Sequence, residues 1–195
     1  METIKLAIRF SHLLAACFAL VTILKADRRL WSWRQRPLDE TRRRYLGRTA
    51  HRVTQLLILL WGTGLMLVVL GYSEHGMAYL ANPKLWTKFS VVALLSVNGY
   101  LLHRVAFPLI SVRLPLTGLP LQERLTVAVL GAVSMTSWLF AAWLGIAREW
   151  NQREPYTQLM GLYLLLLIAA AGGAMATFAL FESGVSGLLG RFNNR

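Results

Sequence analysis

Five runs of roughly 18 to 24 predominantly apolar residues, parted by short polar stretches, divide this 195-residue sequence. Each run is long enough to cross a hydrocarbon core of ~30 Å at ~1.5 Å per residue. In lipid, every backbone N–H and C=O must bond within its own segment or within a closed barrel. The runs are continuous rather than alternating, so they predict helices. The charge content agrees: 55% of the chain is hydrophobic and 15% charged, with a mean hydropathy of +0.47. A soluble domain this size needs a more charged surface. The fold class expected is an all-α integral membrane protein, a single transmembrane domain built as a five-transmembrane-helix bundle.

The spans fall at about residues 6–24, 53–72, 85–107, 125–147 and 159–181. Asn82-Pro83 is a stop and restart before the third, with proline suited to a first helical turn. Residues 107–120, with Pro108, Pro115 and Pro120, are expected to be an irregular interfacial loop. The fifth span carries a run of Ala and Gly at 169–174, which favours close helix packing.

The net charge of +12 is read as a topology signal rather than as nucleic-acid binding, because ten of the 21 Lys and Arg lie in the 25–52 loop. The positive-inside rule puts that loop in the cytoplasm, where it would also meet anionic lipid headgroups. Arg104, Arg113 and Arg124 follow on the same side, with Arg191 and Arg195 in the tail. On the opposite side, Arg148 and Arg153 are balanced by Glu149 and Glu154. The N-terminus is therefore expected outside and the C-terminus cytoplasmic, in a bacterial-type inner membrane. Lys5 and Arg9 break the rule and need another explanation. The single cysteine, Cys17, excludes an intrachain disulfide and a thiolate cluster. Leu14-Ala15-Ala16-Cys17 mimics a lipoprotein signal, but the apolar run continues past it, so a retained first span is expected.

Ionisable residues inside spans point to function, since their desolvation must be compensated. His12 lies about two turns into the first span. Arg9, three residues earlier, shares its face, which continues through Ala16 and Ala19. Lys88, near the start of the third span, falls at a similar depth. Arg9, His12 and Lys88 are thus a candidate outer-leaflet site for a ligand with an anionic tail, such as haem, or for a quinone headgroup. The bland alternative is that the two cations snorkel and His12 makes one interhelical hydrogen bond. His51 and His103 fall near a common plane at the other membrane face, roughly 20 Å from His12 in depth. They are a second candidate metal or haem ligand pair, if their helices touch. Met66 lies at the depth of His12 and offers an axial His–Met alternative. His75 sits in a loop beside Glu74. No hydrolytic triad, Walker loop or dinucleotide fingerprint is present.

The first-span string FSHLLAACFALVTILKADRR and the third-span string NPKLWTKFSVVALLSVNGYLLHRVAFP resemble the membrane superfamily of copper-resistance D proteins and HemJ-type protoporphyrinogen oxidases. The resemblance covers about a quarter of the chain. It implies b-type haem, with the functional histidine and lysine of the HemJ branch falling on His12 and Lys88, or copper handling through the other branch. Outer-side copper ligands would fall mainly on His75 and Met77.

Three functions remain open on sequence alone. The first is a haem-binding, redox-associated membrane protein engaged in quinone-linked electron transfer or porphyrin oxidation, with His12, His51 and His103 as candidate iron ligands. The second is a transporter for copper or another small solute. The third is a non-catalytic subunit of a membrane complex, with a homo-oligomer or a membrane redox partner as its neighbour.

Overall fold

The computed structural model describes residues 2–111 and 114–193, without the side chains of Arg148 and of residues 178–193. Arg113 and Arg195, part of the expected charge asymmetry, lie outside the described residues, as do the side chains of Arg148 and Arg191. Every regular element described is helical: α1 (Glu2–Ser32), α2 (Glu40–His75), α3 (Met77–Leu80), α4 (Pro83–Leu101), α5 (Phe107–Ile110), α6 (Leu121–Ile146) and α7 (Tyr156–Asn193). Five helical stretches are long and apolar enough to cross a membrane, the third being α4 continued through α5 as Pro83–Ile110.

The helices outrun the apolar blocks. At ~1.5 Å per residue α1 and α2 reach ~46 Å and ~54 Å, well beyond a ~30 Å hydrocarbon core. The 25–52 segment is therefore mostly helix, with only residues 33–39 connecting α1 to α2. Hydropathy ends a span where charge begins, but arginine is a good helix former and does not end a helix. Asp39 caps α2 by accepting from the Arg42 N–H at 2.8 Å, and Asn82 caps α4 by accepting from the Lys84 N–H at 3.1 Å.

The 107–120 segment also departs from the expected loop. Helix continues to Ile110 through a π turn, Leu102–Ala106, and a 3₁₀ turn follows at Leu116–Gly118. Pro108 explains the π turn: its ring crowds the carbonyl four residues back, and widening the preceding turn relieves that clash without ending the helix.

Antiparallel α1 lies along α2, α6 lies along both α4 and α7, and α1 meets α6 through fewer contacts. Ala15 and Ala19 let α1 approach closely, joining Leu60, Leu95 and Trp138 in a central apolar cluster. A second cluster joins Val91, Phe140, Leu144, Leu159 and Tyr163 between α4, α6 and α7. The third, with Leu46, Ile110, Leu116 and Val127, closes the arginine-rich end. Arg29 stacks over Tyr45 there, and Thr117 N–H donates to the Arg34 carbonyl at 3.1 Å. The opposite end of the bundle is defined by Lys5, His75, Pro83 and Asn151, and is called the Pro83 end below.

Candidate functional site

Two neighbouring features mark the Pro83 end: the His12 imidazole and a cavity of cationic residues. His12 is half-buried on α1, and its Nδ1 lies 2.7 Å from Thr63 Oγ1 on α2. Thr63 also donates its hydroxyl proton to the Leu59 carbonyl, 2.7 Å away. A hydroxyl has one proton to give, so in its contact with the imidazole the threonine oxygen accepts and Nδ1–H donates. Neutral His12 is thereby held in the Nδ1–H tautomer, and Nε2 keeps its lone pair. Gly64 helps to make room: a Cβ there would already touch His12 Cε1 at 3.5 Å.

The cavity encloses about 340 Å³ between α1, α2, α4 and the loops at this end, and its lining includes Lys5, Arg9, Lys84, Lys88, Asn82 and Asn151. Asn82 and Asn151 bond to each other through their side chains, joining the start of α4 to the loop before α7. Lys5 forms an ion pair with Glu74, tying the first turn of α1 to the last turn of α2. Lys84, only 5% exposed, donates its ammonium to the Ala147 carbonyl at the C-terminal end of α6. A buried lysine placed on a helix C-terminus meets a carbonyl at the negative end of the dipole, here one that also accepts from the Trp150 N–H, but no carboxylate. Lys88 is half-buried and lines the same cavity from α4. Among the described residues, no hydrogen bond or ion pair is made by the Lys88 ammonium. Tyr79 closes one wall; its ring lies directly over Gly71, where a Cβ would come within 2.4–2.7 Å of it.

Arg9, His12 and Lys88 are thus gathered at one end of the bundle, as their depths in the sequence lead one to expect. The His51–His103 pair and the methionines are not part of that group. His51 is exposed, and no hydrogen bond or ring contact joins it to His103 among the described residues. His103 sits in the π turn, edge-on to Phe107 at 5.2 Å, with Nε2 3.5 Å from Thr54 Oγ1. Thr54 is three residues beyond His51 on α2, so α2 turns the neighbouring part of its surface toward His103. Met66 is 57% exposed and Met77 71%, and neither contributes to the cavity lining. His75 does line the cavity, with Nδ1 3.8 Å from Glu74. No group of three or more His, Cys, Asp or Glu side chains converges among the described residues.

Sequence reasoning did not place Lys5, Lys84, Glu74 or Thr63 in the site, although Lys5 stood out as a charge against the positive-inside rule. A signal for the cations was there: Lys5 and Arg9 are four apart, as are Lys84 and Lys88, so each pair lies along one helix face. Thr63 carried no such signal, because a threonine in an apolar helix usually bonds its own backbone, as this one also does. Comparison with known proteins finds no matching family model, no matching curated protein and no matching solved structure.

Proposed function

We propose that this multi-pass membrane protein binds a b-type haem at the Pro83 end, with His12 as an axial ligand, and takes part in membrane electron transfer. The observation that carries this reading is the His12–Thr63 pair. A ligating histidine almost always donates its other ring N–H to a fixed acceptor, which sets the tautomer and orients the ring. The protein supplies that arrangement before any ligand arrives. The donor set suits the group: one neutral imidazole, with Arg9 and Lys88 nearby as counter-charges for propionates. Bound haem supplies a one-electron couple, and holding, orienting and shielding it fall to the protein. Thr63 fixes the imidazole, the two cations balance carboxylate charge, and the cluster around Ala15, Ala19, Leu60 and Trp138 keeps water from the bundle centre.

Polar side chains deeper in the bundle favour this reading over an ion path. Ser96 donates to the Val92 carbonyl, Ser137 to Val133 and Asn98 to Leu130, so each is committed to backbone. The proposed orientation puts the Pro83 end outside and the arginine-rich end in the cytoplasm, in keeping with the positive charge gathered where α1 turns into α2. The proposed location is a bacterial-type inner membrane, with a quinone pool as the lipophilic redox partner.

The test is the absorption spectrum of protein purified in mild detergent after expression with adequate haem. A Soret band that is lost in His12→Ala and kept in His51→Ala and His103→Ala is the expected result. Absence of the band in the unmodified protein overturns the proposal.

A further inference from the structure

The cations of the cavity outnumber the acids beside it. Lys5, Arg9, Lys84 and Lys88 face one volume, and among the described residues the carboxylate that pairs with them is Glu74, bonded to Lys5. Lys84 is satisfied by a carbonyl and Lys88 makes no ion pair among the described residues, so most of this charge is unbalanced. Removing cations from water without counter-charge costs several kcal/mol each, unless a ligand repays it. The walls are not wholly polar: Leu67, Leu85 and the Tyr79 ring complete them. At about 340 Å³ the cavity is at the lower end of small-molecule pockets, which run ~300–1,000 Å³.

We infer that Lys5, Arg9, Lys84 and Lys88 form a binding site for the acidic head of an amphiphilic anion, with phosphate or carboxylate groups among the cations and an apolar body against the leucine and tyrosine wall. The site recognises charge through two lysines on one face of α4 and a lysine–arginine pair on one face of α1. Lys84 and Lys5 are built into the frame, Lys84 on the end of α6 and Lys5 on Glu74. Arg9 and Lys88 are the cations left to move onto a ligand. This inference rests on the reading of the Pro83 end as a ligand site but not on the ligand being haem, since phospholipid phosphate and haem propionate share the chemistry.

The full chain in neutral detergent is titrated with four probes: hemin, hemin dimethyl ester, dioctanoyl phosphatidylglycerol and inorganic phosphate. Hemin or phosphatidylglycerol is expected to bind saturably. Lys88→Gln and Lys84→Gln should each weaken that binding about tenfold or more, and Lys88→Arg should largely preserve it. Arg9→Gln, at an exposed position, provides a second loss-of-charge variant if Lys84→Gln fails to fold. Charge-sensitive phosphatidylglycerol binding with no Soret band supports the cavity and removes the haem reading. Charge-sensitive hemin binding, weaker for the dimethyl ester, identifies the carboxylates as the anchored groups. A Soret band unmoved by every charge variant, with no phosphatidylglycerol binding, keeps the haem reading and overturns the cavity. Saturation by inorganic phosphate alone, or by no probe, also overturns it.

Discussion

His12 Nδ1 and Thr63 Oγ1 meet at 2.7 Å across the α1–α2 interface, and the threonine hydroxyl donates its own hydrogen bond to the Leu59 carbonyl. This relay makes Thr63→Val a sharp test. Valine keeps the shape but leaves Nδ1–H without an acceptor, so the ring is free to rotate or change tautomer. Loss of such a supporting contact typically costs 10–100-fold in affinity for a bound metal centre. Haem titration of Thr63→Val should show a loss of about that size, with far-UV circular dichroism unchanged. Equal affinity in the two proteins would separate the bond from ligand binding.

Glu74→Gln should act in the opposite direction to the lysine substitutions. It removes the carboxylate that Lys5 holds and leaves the cavity more positive. Glu74 is exposed, so water and salt screen its charge and the effect is modest. Binding of phosphatidylglycerol or hemin should tighten severalfold in low-salt buffer, and the gain should shrink as salt is added.

The Ser137–Tyr163 pair gives a stability test independent of any ligand. Both side chains are fully buried, and their oxygens are 2.7 Å apart. Ser137 donates to the Val133 carbonyl at 2.6 Å, so the tyrosine hydroxyl is the donor within the pair. Tyr163→Phe removes that donor and leaves Ser137 satisfied, which should cost about 1 kcal/mol. Ser137→Ala strands a buried hydroxyl and should cost more, about 1–3 kcal/mol. Thermal unfolding in detergent measures both, and the reverse order would refute the assignment of donor and acceptor.

Gly71→Ala tests how the cavity is closed. The new methyl cannot share space with the Tyr79 ring, which must swing aside. Overpacking of this kind costs typically ~1–3 kcal/mol, and the half-buried Tyr79 ring is the group that must give. Anion binding should change more than melting temperature does, because the displaced ring is part of the cavity wall.

Orientation is tested by single cysteines at Glu2 and at Arg36 in a Cys17→Ser background. A membrane-impermeant maleimide applied to intact cells should label the first and spare the second. The reverse pattern would place the arginine-rich end outside.

The five spans were legible because apolar length is a property of composition. Their true ends were not: the arginine-bearing turns of α1 and α2 look like loop to a hydropathy argument, yet they are good helix. Arg9 and His12 were grouped by their spacing on one helix face and Lys88 was added by depth, since the rise per residue places a side chain along a helix axis. Depth does not supply azimuth. His51 and His103 share a plane, but α2 presents Thr54 to His103, about 60° round its axis from His51. For the same reason Thr63 was invisible: nothing in one helix states which residue of its neighbour it will face. Lys84 fell one residue short of the expected third span, whereas Asn82 caps α4 in front of it.

The antiparallel pairing of α1 with α2 bears on how the protein is made. The Lys5–Glu74 ion pair, the His12–Thr63 bond and the Arg29–Tyr45 stack all lie within residues 2–75. This hairpin holds its own ties at both ends and in between, so it can close as soon as its second arm leaves the ribosome. Lys88 follows Glu74 by 14 residues, about one to three seconds of synthesis at ~5–20 residues per second. The His12–Thr63 pair can therefore form before α4 has left the ribosome, and the hairpin then carries the oriented histidine when Lys88 arrives beside it.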